Sequence, residues 1–241
     1  MNGICGIFFD AFKTLIYLHP NYPGAFADVC RYFGYPVSEA EVARVLGDIE
    51  RMMEQRWRLQ GDLTCSPEEL SRRWRALNRA IFQAVGIDGD ASALSEEMER
   101  RFDTGEYARA YEDSLPTIES LRCQGFRLGV ISNGTPGVAR CLEVTGVTDR
   151  VEFVLVSALV GWEKPSPRIF AMGLDAVGLQ PQQVVFVGDH YEADIRGATA
   201  IGMQAVLMDR EGRSTQTDCP VVRDLAEFRR WLGEKGTMND K

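Results

Sequence analysis

The sequence is poor in lysine and in histidine. Lysine and arginine total 27 of 241 residues, yet only Lys13, Lys164, Lys235 and Lys241 are lysines, and the two histidines are His19 and His190. Residues 17–106 hold no lysine at all, against eleven arginines and sixteen acids, a net of −5. Chemistry that needs an amine or an imidazole therefore has few side chains to draw on. No C-x-x-C spacing occurs among Cys5, Cys30, Cys65, Cys123, Cys141 and Cys219. A clustered zinc site is thereby disfavoured, and reduced structural thiols in a cytoplasmic setting are expected. No apolar run approaches the about 18 residues of a membrane span. The apolar start, Met1 to Phe9, lacks a basic flank and meets Asp10, so it reads as a first strand and not as a signal peptide. With 35 acids the formal charge is −8, which argues against general nucleic-acid binding but leaves room for a confined anion site. Nothing in the pattern selects an oligomeric state.

What is present is a set of short, continuous apolar runs: 4–9, 126–132, 151–157, 184–187 and 204–208. Runs of this length, apolar on both faces, suit central parallel strands. Helical stretches at 116–124, 137–145, 167–177 and 191–201 alternate with the later ones, which predicts an α/β fold with a doubly wound parallel sheet. Residues 17–106 break that rhythm. Capping boxes at Ser38-Glu39-Ala40-Glu41 and Ser66-Pro67-Glu68-Glu69, with Gly34, Gly61 and Gly86 as stops, predict four helices near 22–33, 38–60, 67–85 and 92–103. The expected organisation is thus a core of 1–16 and 107–241 with an all-helical insert over 17–106. The runs Arg56-Trp57-Arg58 and Arg72-Arg73-Trp74-Arg75 are read as tryptophans turned inward with arginines on the flanks paired to acids. Beyond Gly233 the tail is polar and expected to fray.

Ligands of open parallel sheets bind beyond the strand C-termini. This chain places Asp10, Ser132-Asn133, Gly188-Asp189 and, in a loop, Lys164 there, with Asp194 five residues after Asp189. Two like charges about 4 Å apart cost roughly 4 kcal/mol at an effective dielectric of about 20. Lys164 offsets one of three carboxylates, and a hard divalent cation, most simply Mg²⁺, would offset the others. Such a site suits phosphoryl transfer to a carboxylate nucleophile.

Four segments resemble the motifs of the haloacid dehalogenase (HAD) superfamily, in order. Phe8-Phe9-Asp10-Ala11-Phe12-Lys13-Thr14-Leu15 is similar to the first, whose phosphatase form is D-x-D-G-T-L. Val130-Ile131-Ser132-Asn133 resembles the second, Gly161-Trp162-Glu163-Lys164-Pro165-Ser166-Pro167 the third, and Gly188-Asp189 with Asp194 the fourth. The resemblance implies a Rossmann-like core and a helical cap of the C1 type at 17–106. It implies Asp10 as the nucleophile that forms an aspartyl-phosphate, with Lys164 orienting it. Mg²⁺ would be held by Asp10, Asp189 and the main-chain oxygen of Phe12. Ser132 and Asn133 would bind substrate, and Asp194 would hold Lys164 or a metal-bound water. The substrate expected is a small phosphorylated metabolite.

Two positions depart from the family pattern. Phe12 stands where phosphatases carry the aspartate that protonates the leaving group, a contribution of about 10²–10⁴-fold. Lys13 stands in place of a glycine, which puts the loop geometry in question. A phosphatase is favoured, either with another acid (His19 or His190) or with a substrate whose leaving group needs none. D-A-F-x-T-L is also similar to the D-A-Y-G-T-L of 2-haloacid dehalogenases, but those work without metal and lack the Gly-Asp kept here at Gly188-Asp189. Phosphonatase chemistry needs a cap lysine, and 17–106 has none. A HAD-like binding or regulatory scaffold is the non-enzymatic alternative.

Overall fold

The computed structural model describes residues 3–59, 66–216 and 218–237, with side chains for all of these except 50, 53–59 and 235–237. In chain order the elements are β1 (Gly6–Phe9), β2 (Ile16–Leu18), α1 (Tyr22–Tyr32), α2 (Glu39–Leu59), α3 (Pro67–Ala84), α4 (Ala91–Asp103) and β3 (Ala108–Ala110). Next come α5 (Ser114–Cys123), β4 (Arg127–Ser132), α6 (Gly137–Val144), β5 (Phe153–Val156), α7 (Ser157–Val160) and α8 (Pro167–Val177). The chain continues through β6 (Val184–Gly188), a π-helical turn (Tyr191–Arg196), α9 (Gly197–Ala200), β7 (Gln204–Met208), β8 (Val221–Val222) and α10 (Leu225–Thr237).

Six strands form one parallel sheet in the order β5-β4-β1-β6-β7-β8. The five apolar runs all become strands because each must bury both faces. In β1, Ile7 and Phe9 join the cluster covered by α5, α6 and α10, while Phe8 joins the one covered by α8 and α9. The same alternation divides Val185 and Val187 from Val184 and Phe186 in β6. Helices on both faces make the sheet doubly wound, as the sequence predicts.

Between β2 and β3 the chain is helical, and α1–α4 close over an apolar cluster of their own built on Phe26, Val29, Leu46, Phe82, Leu94 and Met98. Both capping serines act as expected. Ser38 exchanges bonds with Glu41, and Ser66 accepts from the Glu69 N–H at 3.1 Å. Trp74 packs on Leu70 and Ala158, while Arg75 pairs with Glu99 at 3.1 Å and Arg73 with Glu69. The Arg72–Arg75 run is therefore a packed and ion-paired helix face. The Arg56–Arg58 side chains, Gly61 and Cys65 lie outside the described residues. Cys5, Cys30, Cys123, Cys141 and Cys219 are free thiols. No helix among the described residues is long and apolar enough to cross a membrane.

Three features differ from the sequence reading. Strands β2 and β3 pair antiparallel, Tyr17 opposite Arg109, and close the two ends of the helical segment together. Each is only three residues long, too short for a period-2 signal. Helix 191–201 is split, its first turn being π-helical. And α10 runs past Gly233 to Thr237, anchored by Leu225, Phe228 and Leu232 in the core; 238–241 lie outside the described residues.

A charged cluster ties the end of α4 to α1. Arg101, only 8% exposed, donates to Asp28, Glu97 and the Tyr107 hydroxyl, each at 2.7 Å. Glu97 also accepts two bonds from Arg100 at 2.8 Å. Arg100 first and then Arg101 hold its carboxyl down, to about 2 from an ordinary 4.5. A folded-state value below the unfolded one gives stability that is complete above about pH 4.5 and vanishes as the pH falls toward 2. Glu97→Gln is expected to lower the Tm at pH 7, and its gap from the parent should narrow between about pH 5 and about pH 3. A gap that stays constant over that range would show that the pairing is not what the substitution removes.

Candidate active site

The sheet order brings the site together. Strand β1 lies between β4 and β6, so Asp10, one residue past β1, is flanked by Ser132 at the end of β4 and by Gly188-Asp189 at the end of β6. The Asp10 N–H extends the ladder by one bond, to the Val187 carbonyl at 2.8 Å. Asp10 is 7% exposed and Ser132 2%.

Lys164 arrives from the loop after α7. Its ammonium is 2.6 Å from Asp10 Oδ1 and 2.6 Å from Asp194 Oδ1, and it stands 5.1 Å from the ring centroid of Phe186. The side chain is fully buried, a position an ammonium tolerates only when paired. Burial opposes its charge, but Asp10 and Asp194 outweigh that and raise its pKa. Asn133 sets the backbone of this loop: its Nδ2 donates to the Lys164 carbonyl at 2.8 Å and its Oδ1 accepts from the Lys164 N–H at 2.7 Å. Placed beside substrate by the sequence, Asn133 thus spends both ends of its amide on Lys164.

Asp194 is buried and aimed by its own loop. The His190 N–H donates to Asp194 Oδ2 at 2.9 Å, and the Asp194 N–H donates to the His190 carbonyl at 2.8 Å. His190 Nδ1 accepts from the Ala193 N–H at 3.2 Å, so this imidazole caps the π-helical turn. His19 is exposed beside β2, its N–H bonded to the Tyr107 carbonyl. Neither histidine is shown at the nucleophile.

Asp10, Asp189 and Asp194 each bring a carboxylate oxygen within 4.8 Å of the others. Burial, opposed by Lys164 and reinforced by Asp194, raises Asp10 to about 6. Asp189 is pushed well above the carboxylate range by burial first, then by the charges of Asp10 and Asp194, with Lys13 and Lys164 pulling the other way. Three carboxylates around one buried ammonium form an electron-rich, hard-oxygen donor set that suits a divalent cation.

The two unusual residues of the first motif have separate fates. The Phe12 ring lies 5.6 Å from that of Phe102 in α4 and is packed between the sheet's cluster and that of the helical segment. Lys13 takes the left-handed conformation, φ 58°, that a glycine adopts freely. For a side chain this costs about 1–2 kcal/mol. Bonds from the Lys13 N–H to the Ile16 carbonyl and from the Leu15 and Ile16 N–H groups to the Ala11 carbonyl hold the turn in that shape. The glycine geometry therefore survives the substitution.

The sequence reading missed Glu163 and Arg210. Glu163 is 6% exposed, with Arg73 of α3 at 4.0 Å. Arg210 lies two residues past β7, one beyond the strand-end position that Asp10 and Asp189 hold and that Asp209 occupies here.

Gly188 is needed as glycine, since a Cβ there would lie 2.3 Å from Asp194 Oδ2 and 2.5 Å from its Cγ. Gly188→Ala is expected to displace Asp194 from Lys164 and to lower turnover by about 100-fold while the protein still folds. Full activity in the alanine variant would show that Asp194 can move without consequence.

The sequence profile of haloacid dehalogenase-like hydrolases matches residues 4–202. A phosphatase of Mycobacterium tuberculosis is 31% identical over 178 residues, 67% of this chain and 80% of that protein. The bovine haloacid dehalogenase-like hydrolase domain-containing protein 3 is 32% identical over 137 residues, 56% of this chain, and the match spans only about half (55%) of that relative's length. Among solved structures, a HAD phosphatase from Thermococcus onnurineus superposes with a TM-score of 0.63 at 26% identity, covering 95% of this chain and 98% of that one. A 2-haloacid dehalogenase from Pseudomonas syringae does so with a TM-score of 0.63 at 25% identity, covering 96% and 99%. With the profile spanning all four motif segments and the fold shared along nearly the whole chain, this protein belongs to the haloacid dehalogenase-like hydrolase family.

Proposed function

We propose that the protein is a Mg²⁺-dependent phosphatase acting on a small phosphorylated metabolite, with Asp10 as the nucleophile. In this reading residues 1–16 and 107–241 form the catalytic core and 17–106 a cap over it. The observation that carries the proposal is the retention of Asp189 beside Asp10 and Asp194. Lys164 pairs with Asp10 and Asp194, and Asp189, opposed only in part by Lys13 and Lys164, adds a further carboxyl whose ionised form a divalent cation would stabilise. Relatives named as phosphatases support it.

The donors fit Mg²⁺: Asp10 and Asp189, just past adjacent strands, bring carboxylate oxygens within 4.8 Å of one another, and the Phe12 carbonyl in the turn after Asp10 would add another hard oxygen. Bound there, the ion would neutralise phosphoryl oxygens and lower the cost of bringing a phosphate to a carboxylate. The chain's own groups do the rest. Lys164 orients Asp10 and favours its ionised form. An Asp10 oxygen attacks phosphorus as the bond to the leaving oxygen breaks, giving an aspartyl-phosphate. Ser132 donates its hydroxyl proton in a hydrogen bond to a phosphoryl oxygen, and Asp194 keeps Lys164 in place. Water then cleaves the acyl phosphate and releases phosphate. Phe12 supplies no proton, so the leaving group departs as an anion or takes its proton from solvent. Substrates with acidic leaving groups, such as acyl phosphates, are favoured accordingly.

A 2-haloacid dehalogenase is the second reading, favoured by the aromatic Phe12, because halide needs no proton. The additional charge of Asp189 would repel a haloacid carboxylate, which places this reading second. The deciding assay measures phosphate release from a panel of phosphorylated metabolites with Mg²⁺ or with EDTA, beside chloride release from 2-chloropropionate. Mg²⁺-dependent phosphate release is expected, and metal-independent chloride release would reverse the order. Phe12→Asp should raise turnover of poor leaving groups more than of good ones, with Tm followed in parallel because the ring is packed against Phe102. Equal or reduced turnover for both substrate types in a folded variant would count against a missing acid as the limit on rate.

A further inference from the structure

Arg210 makes more bonds than its place on an outer loop requires, and they converge on the nucleophile's own turn. Its side chain is 13% exposed. Nε and Nη2 donate to the Thr14 carbonyl at 3.2 and 2.7 Å, and Nη1 and Nη2 donate to the two carboxylate oxygens of Asp113 at 3.1 and 2.9 Å. The guanidinium sits over the Tyr111 ring, its carbon 3.7 Å from the centroid, and the Tyr111 ring packs in turn against that of Tyr17, 4.7 Å away and tilted by 36°. Asp113 is itself fixed, precedes α5, and accepts from the Leu225 N–H at the start of α10 at 2.9 Å. The guanidinium is thus held at once by the turn after β1, by Asp113 before α5 and by the Tyr111 ring.

Thr14 is fully buried and belongs to the tight turn from Ala11 to Ile16. The next carbonyl, that of Leu15, is gripped by the Ser114 hydroxyl at 2.7 Å and by the Tyr111 N–H at 3.1 Å. The turn holds a lysine in the left-handed region, a conformation that persists only where surroundings over-determine it. External anchors on two successive carbonyls supply that constraint.

We infer that Arg210 is a positioning residue: by clamping the Thr14 carbonyl to Asp113 it fixes the turn that follows Asp10 and carries Phe12 and Lys13. The inference rests on the phosphatase reading for what the turn serves. Its physical basis is the guanidinium's planar fork, which bridges an acceptor on the turn and a carboxylate on the core at once. A lysine ammonium at the end of a flexible stem keeps the charge but not that geometry.

The test compares the parent with Arg210→Lys and Arg210→Ala in the full-length protein. Mg²⁺ binding is measured by calorimetry without substrate, steady-state turnover on the best phosphate ester of the panel, and Tm for each variant. Both variants are expected to bind Mg²⁺ about 10-fold more weakly. The kcat should fall by about 10- to 100-fold, with KM changing by less than about twofold. Added guanidinium ion at low millimolar concentration should recover part of the kcat of Arg210→Ala and none of that of Arg210→Lys. Lowered Tm with unchanged Mg²⁺ affinity and kcat would make Arg210 a stability tie alone and overturn the inference. A parent that neither binds Mg²⁺ nor releases phosphate would overturn the phosphatase reading and this one with it, whereas an active parent with equally active variants would overturn this one only.

Discussion

The site is organised around one buried ammonium. Lys164 is fully enclosed beneath the sheet edge, and burying an unpaired ammonium would cost several kcal/mol or more. It is tolerated because two carboxylates, Asp10 just past β1 and Asp194 in the π-helical turn after β6, meet it at 2.6 Å each. Those pairings in turn need their own supports. Asn133 fixes the Lys164 backbone, the His190 N–H fixes Asp194, and the missing side chain of Gly188 leaves room for the Asp194 carboxylate. Removing any one partner leaves a charge stranded in a medium that cannot solvate it, so loops after β1, β4, α7 and β6 are held to one arrangement.

The same arrangement leaves an excess of negative charge. Lys164 is shared between Asp10 and Asp194, and Asp189 is pushed well above the carboxylate range by burial and by those two neighbours. Lys13 acts against that excess from the turn after Asp10. Two of only four lysines in the chain therefore serve the same sheet edge. Phe12, next to Lys13 in sequence, does something else: its ring joins the core's apolar cluster to that of the helical segment.

Much of this was legible from residue order. Parallel strands that bury both faces must be short and apolar, and the residues just past their C-terminal ends must lie at a common edge. That reasoning brings Asp10, Ser132 and Asp189 together before any coordinates. Lys164, in a loop, and Asp194, five residues past Asp189, fall at the same edge on that reading, and the motif resemblance gives them their roles. The short β2–β3 pair was not legible, because three residues carry no period. Nor was the π-helical turn after Asp189, because its sequence reads as ordinary helix. Asn133 was recognised as a site residue, but its bonds to the Lys164 backbone depend on how two loops 31 residues apart approach each other. Arg210 escaped for a related reason. Its partners, Thr14 and Asp113, are 196 and 97 residues away in sequence.

By itself the sequence determined the alternation of strand and helix, the all-helical character of the segment between β2 and β3, and the chemical types gathered at the sheet edge. Local periodicity sets the first two, and the third comes from the rule that both faces of a parallel sheet are covered. Tertiary structure alone decided which carboxylates share the ammonium, that Lys13 adopts a glycine's conformation, and that the Phe12 ring joins the core's apolar cluster to that of the helical segment. These are matters of distance between groups far apart in the chain. Only the packing of loops against one another sets such distances, and no residue carries them in its own identity.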